Sequence, residues 1–245
     1  MKFKNPFKTL TKFEFGLWLT SIVVVSCSFL LSKGGDYLTL LASLIGVTSL
    51  IFVAKGYVFG QAMIVVFAVL YGIVSFKIGY YGEMITYVGM SAPIALINVF
   101  AWLKHPYKKE ASADVKSNDS GATEVKVSRL TPKKFLIIVL LTSVVTFAFY
   151  FILKALGTAN LLFSTISVAT SFLAASLSFV RTPYYALGYA SNDIVLIILW
   201  LLASIKDIAY LPMILCFVMF LANDLYGFYN WRRMKKRQES DSNAV

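Results

Sequence analysis

Hydropathy divides the chain into two blocks of long apolar runs with one polar stretch between them. The runs cover residues 15–31, 37–54, 57–76, 83–103, 134–153, 159–180, 186–204 and 208–230. A helix needs roughly 20 mostly apolar residues to cross the hydrocarbon core of a bilayer, so each run predicts one span. The separators are short and carry Gly, Pro or charge, as in Lys33-Gly34-Gly35-Asp36, Lys55-Gly56 and Arg181-Thr182-Pro183. Residues 104–132 differ: they are small, polar and of mixed charge, which predicts a disordered linker. The predicted organisation is a membrane half at 1–103 (helices 1–4), a cytoplasmic linker at 104–132, a second membrane half at 133–231 (helices 5–8) and a basic cytoplasmic tail at 232–245. The first run has no A-x-A-like cleavage site and more spans follow it at once, so it reads as a helix rather than a leader.

Composition agrees with the pattern. Of 245 residues, 58% are hydrophobic and 14% charged, and the mean hydropathy is +0.74. A soluble domain carries about 25% charged residues. The fold class expected is all-α, a polytopic membrane protein of about eight transmembrane helices. The net charge of +11 could suggest nucleic acid, but the basic residues flank apolar runs instead of covering a foldable soluble domain. With eight spans and both ends inside, 19 of the Lys and Arg residues fall on the cytoplasmic side and 4 outside. That bias predicts N-in and C-in.

The two blocks resemble each other. Leu19–Val24 (LTSIVV) matches Leu141–Thr146 (LTSVVT) at an offset of 122. Tyr57 falls on Tyr184 at 127, and Tyr71, Tyr81 and Trp102 fall on Trp200, Tyr210 and Trp231 at 129. Four helices per half is an even number, so both halves enter the membrane the same way. Such parallel repeats are typical of transporters, with a site between the halves.

Polar side chains within the spans mark candidate sites, because they are costly in hydrocarbon unless they face a cavity or another helix. In the seventh span Tyr189, Asp193 and Trp200 share one helical face, with Asn192 beside them. In the eighth, Asn223, Tyr226, Gly227 and Asn230 share a face, with Asp224 adjacent. The fourth span aligns Tyr87, Ser91 and Asn98, and the third Gln61, Tyr71 and Ser75. Asn98 and Asn230 serve equally well as bonds to a neighbouring helix. Trp200 lies mid-span, where an indole stacks on an apolar side chain or on a planar ligand. Trp18, Trp102 and Trp231 sit at run ends as interfacial anchors. The set of Trp200, Asp193, Asn192, Asn223, Asp224, Tyr226, Asn98 and Gln61 suits a planar, cationic, hydroxyl-bearing solute.

Much chemistry is missing from the sequence. There is no GxxxxGK[ST] loop, no GxGxxG, no HExxH and no nucleophile paired with the single histidine, His105. Cys27 and Cys216 lie inside apolar runs as small hydrophobes. No metal, cofactor or enzyme activity is expected. Carriage of a small solute survives best, against a membrane scaffold that carries none.

Arg181–Ile205 (RTPYYALGYASNDIVLIILWLLASI) and Tyr210–Met234 (YLPMILCFVMFLANDLYGFYNWRRM) resemble the PnuC family of bacterial vitamin transporters, with weaker likeness at Tyr80–Met90 (YYGEMITYVGM). The resemblance implies a SWEET-like fold: two three-helix bundles joined by a linking helix, plus an N-terminal helix. It implies nicotinamide riboside as substrate, carried across the bacterial cytoplasmic membrane by facilitated diffusion and trapped inside through phosphorylation by a nucleoside kinase. Relatives carry thiamine, riboflavin or deoxynucleosides, and members can form homotrimers. On this reading Trp200 or Tyr226 stacks on the pyridinium and Asp193 or Asp224 balances its charge. Asn192, Asn223, Gln61 and Asn98 then meet the ribose and amide. Family members often cluster tryptophans in the penultimate helix region, whereas this chain has Trp200 alone there.

Overall fold

The computed structural model describes residues 5–31, 37–77, 80–107, 124–158, 160–205 and 210–243. Eight helices within it are long and apolar enough to cross a membrane. They are α1 (Lys12–Leu31), α2 (Tyr37–Ala54), α3 (Val58–Lys77), α4 (Tyr81–Leu103), α5 (Pro132–Ala155), α6 (Leu161–Phe179), α7 (Tyr184–Ser204) and α8 (Leu211–Asn243). Helices are what apolar runs of this length must form in lipid, because the backbone then satisfies its own hydrogen bonds. The expected spans are all present. The expected loops at 32–36, 78–79 and 206–209, with Lys33 and Lys206, lie outside the described residues.

The ends follow local chemistry. Helix α1 starts three residues before its apolar run because Thr11 and Glu14 form a capping box. The Glu14 N–H donates to Thr11 Oγ1 at 3.2 Å and the Thr11 N–H donates to Glu14 Oε2 at 2.7 Å. Helix α4 contains a wide π-helical stretch, Ile85–Ser91, in which the Ala92 N–H reaches back to the Tyr87 carbonyl. Pro93 follows at once; with no N–H and a ring that crowds the preceding turn, it forbids the regular ladder there.

Helices α2, α3 and α4 pack as one bundle and α6, α7 and α8 as a second. The bundles meet most extensively at α2 on α8 and α4 on α6. Helix α1 packs on α2 and α8. Helix α5 packs on α6, and its Leu153 shares one buried cluster with Met90 of α4 and Val168 of α6. The arrangement is a four-helix unit used twice. Individual bonds repeat as well. The Trp102 indole donates to the Ser178 carbonyl at 3.1 Å, and the Trp231 indole donates to the Val53 carbonyl at 3.0 Å. The two indoles then lie against each other at 5.3 Å. Tyr71 and Trp200, also repeat partners, bond directly at 3.1 Å. Duplicated residues touch their own counterparts only near the pseudo-two-fold axis, so these pairs mark it. Trp102 and Trp231 are fully buried; the interfacial role expected for them gives way to packing between the bundles.

The stretch expected to be a linker is held at both ends where it is described. Tyr57 bridges Glu124, and Pro106 bridges Val125, which is buried. The basic tail continues α8 as helix to Asn243 and clasps this return. Gln238 donates to Glu124 and to the Val125 carbonyl, and accepts from the Val127 N–H. Residues 108–123, the middle of the expected linker, lie outside the described residues.

Candidate functional site

A narrow cavity lies between the two bundles. Bundle one contributes Gln61, Phe67, Tyr87 and Ser91; bundle two contributes Ser171, Tyr189, Asn192, Asp193, Phe217, Phe220 and Asp224. Its volume is about 60 Å³, space for a few waters and less than a vitamin occupies. A solute of that size needs the bundles to part.

Each polar wall group is placed by a specific neighbour. Three hydroxyls of α6 converge on the Asn192 amide oxygen: Ser167 at 3.3 Å, Thr170 at 2.9 Å and Ser171 at 3.0 Å. That fixes the rotamer and leaves the amide nitrogen unused by α6. Gln61 donates to Ser178 Oγ at 3.2 Å, which leaves its carbonyl oxygen. Asp193 and Asp224 come from adjacent helices of bundle two, α7 and α8, and both are at most 4% exposed. Their carboxyls come within hydrogen-bonding reach of each other, and Asp193 Oδ2 has no hydrogen-bond partner among the described residues. No Lys or Arg is among the residues lining the cavity. Two acidic groups facing one low-dielectric space create a strong field for a cation.

The aromatic wall is continuous. Phe67 meets Tyr87 at 6.0 Å and Phe220 at 5.3 Å, and Tyr71 stands behind Tyr87 at 4.3 Å. Any of Phe67, Tyr87, Phe217 or Phe220 offers a face to a planar ring.

Four of the eight residues expected at the site, Gln61, Asn192, Asp193 and Asp224, line this cavity together. The other four lie elsewhere. Trp200 is spent on Tyr71 and packs against Tyr80 and Tyr210 at 5.2 and 5.5 Å. Asn223 faces α1 and donates to Ser21 Oγ at 3.0 Å and to the Met219 carbonyl at 2.7 Å. Asn98 is fully buried and reaches the Ala175 carbonyl of α6 at 3.4 Å, the helix-to-helix alternative open from its sequence. Tyr226 donates to Glu14 Oε1 at 2.9 Å. The shared-face pattern did single out Tyr87 and Tyr189, but Phe67, Phe217 and Phe220 carried no signal that set them apart from any core phenylalanine.

Tyr226 borders a second, open space of about 600 Å³ at the end of the molecule that bears the termini. Its floor is an ion pair, Lys55 Nζ to Glu14 at 2.9 Å, with side chains 12% and 3% exposed. Removing one member leaves the other charge poorly solvated. Lys55→Met should therefore cost roughly 2 kcal/mol, discounted for the water that reaches the pair. A lowered unfolding midpoint in detergent checks it; Lys55→Arg should unfold close to wild type.

The comparisons with known proteins agree with this architecture. The family model for the nicotinamide mononucleotide transporter matches residues 36–233. The nicotinamide riboside transporter PnuC of Neisseria mucosa is 28% identical over 229 residues, 93% of this chain and 83% of that protein. The protein of the same name from Haemophilus influenzae is 24% identical over 222 residues, 90% of each chain. The crystal structure of the vitamin B3 transporter PnuC superposes with a TM-score of 0.78 at 26% identity, covering 94% of each chain. A match over most of the chain, on the fold described, makes this multi-pass membrane protein a member of the nicotinamide mononucleotide transporter family, the PnuC transporters.

Proposed function

We propose that the chain carries nicotinamide riboside across the bacterial cytoplasmic membrane by facilitated diffusion, and that a cytoplasmic nucleoside kinase traps it by phosphorylation. The observation that supports this most is the cavity between the bundles. It joins two carboxylates, Asp193 and Asp224, to an aromatic wall and two oriented amides. Nicotinamide riboside is a flat pyridinium cation with a carboxamide and a ribose. The carboxylates would balance its charge, Gln61 and Asn192 would bond the carboxamide and hydroxyls, and a phenyl or phenol ring would stack on the pyridinium.

The stacking role proposed from sequence for Trp200 passes to Phe67, Tyr87, Phe217 or Phe220. Asn223, Asn98 and Tyr226 hold helices together and orient the site from outside. The orientation with both termini inside rests on the basic residues gathered at the termini-bearing end, among them Lys55, Arg129, Arg233 and Arg237. A homotrimer accords with α5, whose outer face exposes Leu136, Leu140, Val144, Phe147 and Phe151.

The test is counterflow in liposomes. Labelled nicotinamide riboside should exchange saturably with no imposed ion gradient. Thiamine, riboflavin and thymidine should compete weakly. Strong competition by one of them reassigns the cargo, and absence of exchange by folded protein ends the reading.

A further inference from the structure

A third acidic group lies off the central cavity. Glu83 stands at the start of α4, at the end of the molecule opposite the termini, and is 3% exposed. Its Oε2 has no hydrogen-bond partner among the described residues. It lines a small chamber of about 10 Å³ with Thr158, Leu199 and Trp200. Thr158 Oγ1, also buried, has no partner either. The approach is close: a side chain on Gly82 would meet both Thr158 branches at 2.7 Å. The chamber therefore lies at the seam between the bundles, built by α4 from the first and by α6, α7 and the loop before α6 from the second.

One layer of side chains separates this chamber from the cavity. Tyr87, one turn along α4 from Glu83, lines the cavity, and Trp200 lines the chamber. Tyr71 touches both, at 4.3 Å to the Tyr87 ring and through the 3.1 Å bond to Trp200. On the far side of this layer stands Asp193, seven residues from Trp200 on the same face of α7. A carboxylate thus waits on each side of an aromatic partition, and the partition is fastened by one hydrogen bond across the two bundles. Glu83 lies in the first turn of α4, where the helix dipole favours an acidic group, yet burying its Oε2 without a partner is unfavourable. The wide turn that follows Glu83 is a feature often found at functional sites.

We propose that Glu83 is an outer recognition point for the cationic substrate. It meets the pyridinium at the seam between the bundles, before the Tyr71–Trp200 bond opens and passes it to Asp193 and Asp224. The inference rests on the vitamin reading and adds to it a second site with a charge requirement of its own.

The experiment compares two substrates in counterflow: nicotinamide riboside and its uncharged 1,4-dihydro form, which keeps the ribose and carboxamide. Glu83→Gln keeps the shape and removes the charge. The expected result is a KM for the cation raised at least about tenfold. The maximal rate and the KM for the uncharged form should stay within about twofold of wild type. Glu83→Asp should restore most of the cation KM, and both variants should elute and melt as wild type. Equal effects on both substrates, or no effect on either, would overturn the assignment while leaving the vitamin reading in place. If the wild-type protein carries neither compound, the vitamin reading fails and Glu83 falls with it.

Discussion

Asp193→Asn is expected to weaken binding of nicotinamide riboside by about 30- to 100-fold, with the folded protein intact. A hydrogen-bonded contact to a charged group contributes about 1.5–3 kcal/mol, and every 1.4 kcal/mol is tenfold in affinity. Asp193 sits at the upper end of that range for two reasons. It is 3% exposed, so water does not screen it, and its Oδ2 has no protein partner among the described residues. The substitution keeps the shape of the side chain and leaves an amide that can still bond the facing Asp224 carboxyl. The fold should be unharmed. Asp224→Asn should behave alike, and the double variant should lose less than the sum, since the two act on one cation. Titration of labelled substrate into purified protein, with a melting curve for each variant, measures both quantities. Unchanged affinity in both single variants would remove the carboxylates from the site. A joint loss of affinity and of melting temperature would make them structural.

Trp231→Ala is expected to have the largest effect on stability. The indole is fully buried, donates to the Val53 carbonyl, and packs on Trp102 at 5.3 Å and Tyr185 at 4.8 Å. Truncating a buried Trp to Ala costs about 3–5 kcal/mol through lost contacts and the void left behind. The Val53 carbonyl keeps the Gly56 N–H at 2.9 Å, so the lost indole bond adds little to the cost of the void. Trp102→Ala should cost a similar amount, because it repeats the same bond on the other side of the axis. The double variant should cost less than the sum, since each single change already opens the shared void. Trp231→Phe keeps much of the volume and should retain more than half of the stability. Thermal unfolding in detergent gives all four values, and full additivity would show that the two indoles do not share one packing unit.

Much of the architecture was legible because its cause is local. A run of 20 apolar residues cannot sit in water and cannot leave backbone groups bare in lipid, so each became a helix. The boundaries slipped where side chains act on the backbone. Thr11 and Glu14 started α1 early, and Pro93 forced the wide turn in α4. At the site, Asp193, Asp224, Asn192 and Gln61 were visible because polar groups in a span need a reason to be there. Asn223, Asn98 and Tyr226 met the same criterion and had a different reason: each satisfies a group on another helix. A face along one helix says which way a residue points. It does not say whether a cavity or a neighbour lies there.

The sequence by itself determined the number of spans, the pairing of the halves and the family, since hydropathy, ordered matches and contiguous motifs are read along one dimension. Only the tertiary structure decided that Trp200 is a tie to Tyr71 and that Phe67, Phe217 and Phe220 form a wall. It also joined Glu14 to Lys55 and Tyr226, and clasped Glu124 and Val125 with the end of α8. The physical reason is the same in each case. These contacts join residues 41 to 212 positions apart, and which of many similar apolar faces meet is settled by packing around the pseudo-two-fold axis, where small differences in shape select one partner among many of equal hydrophobicity.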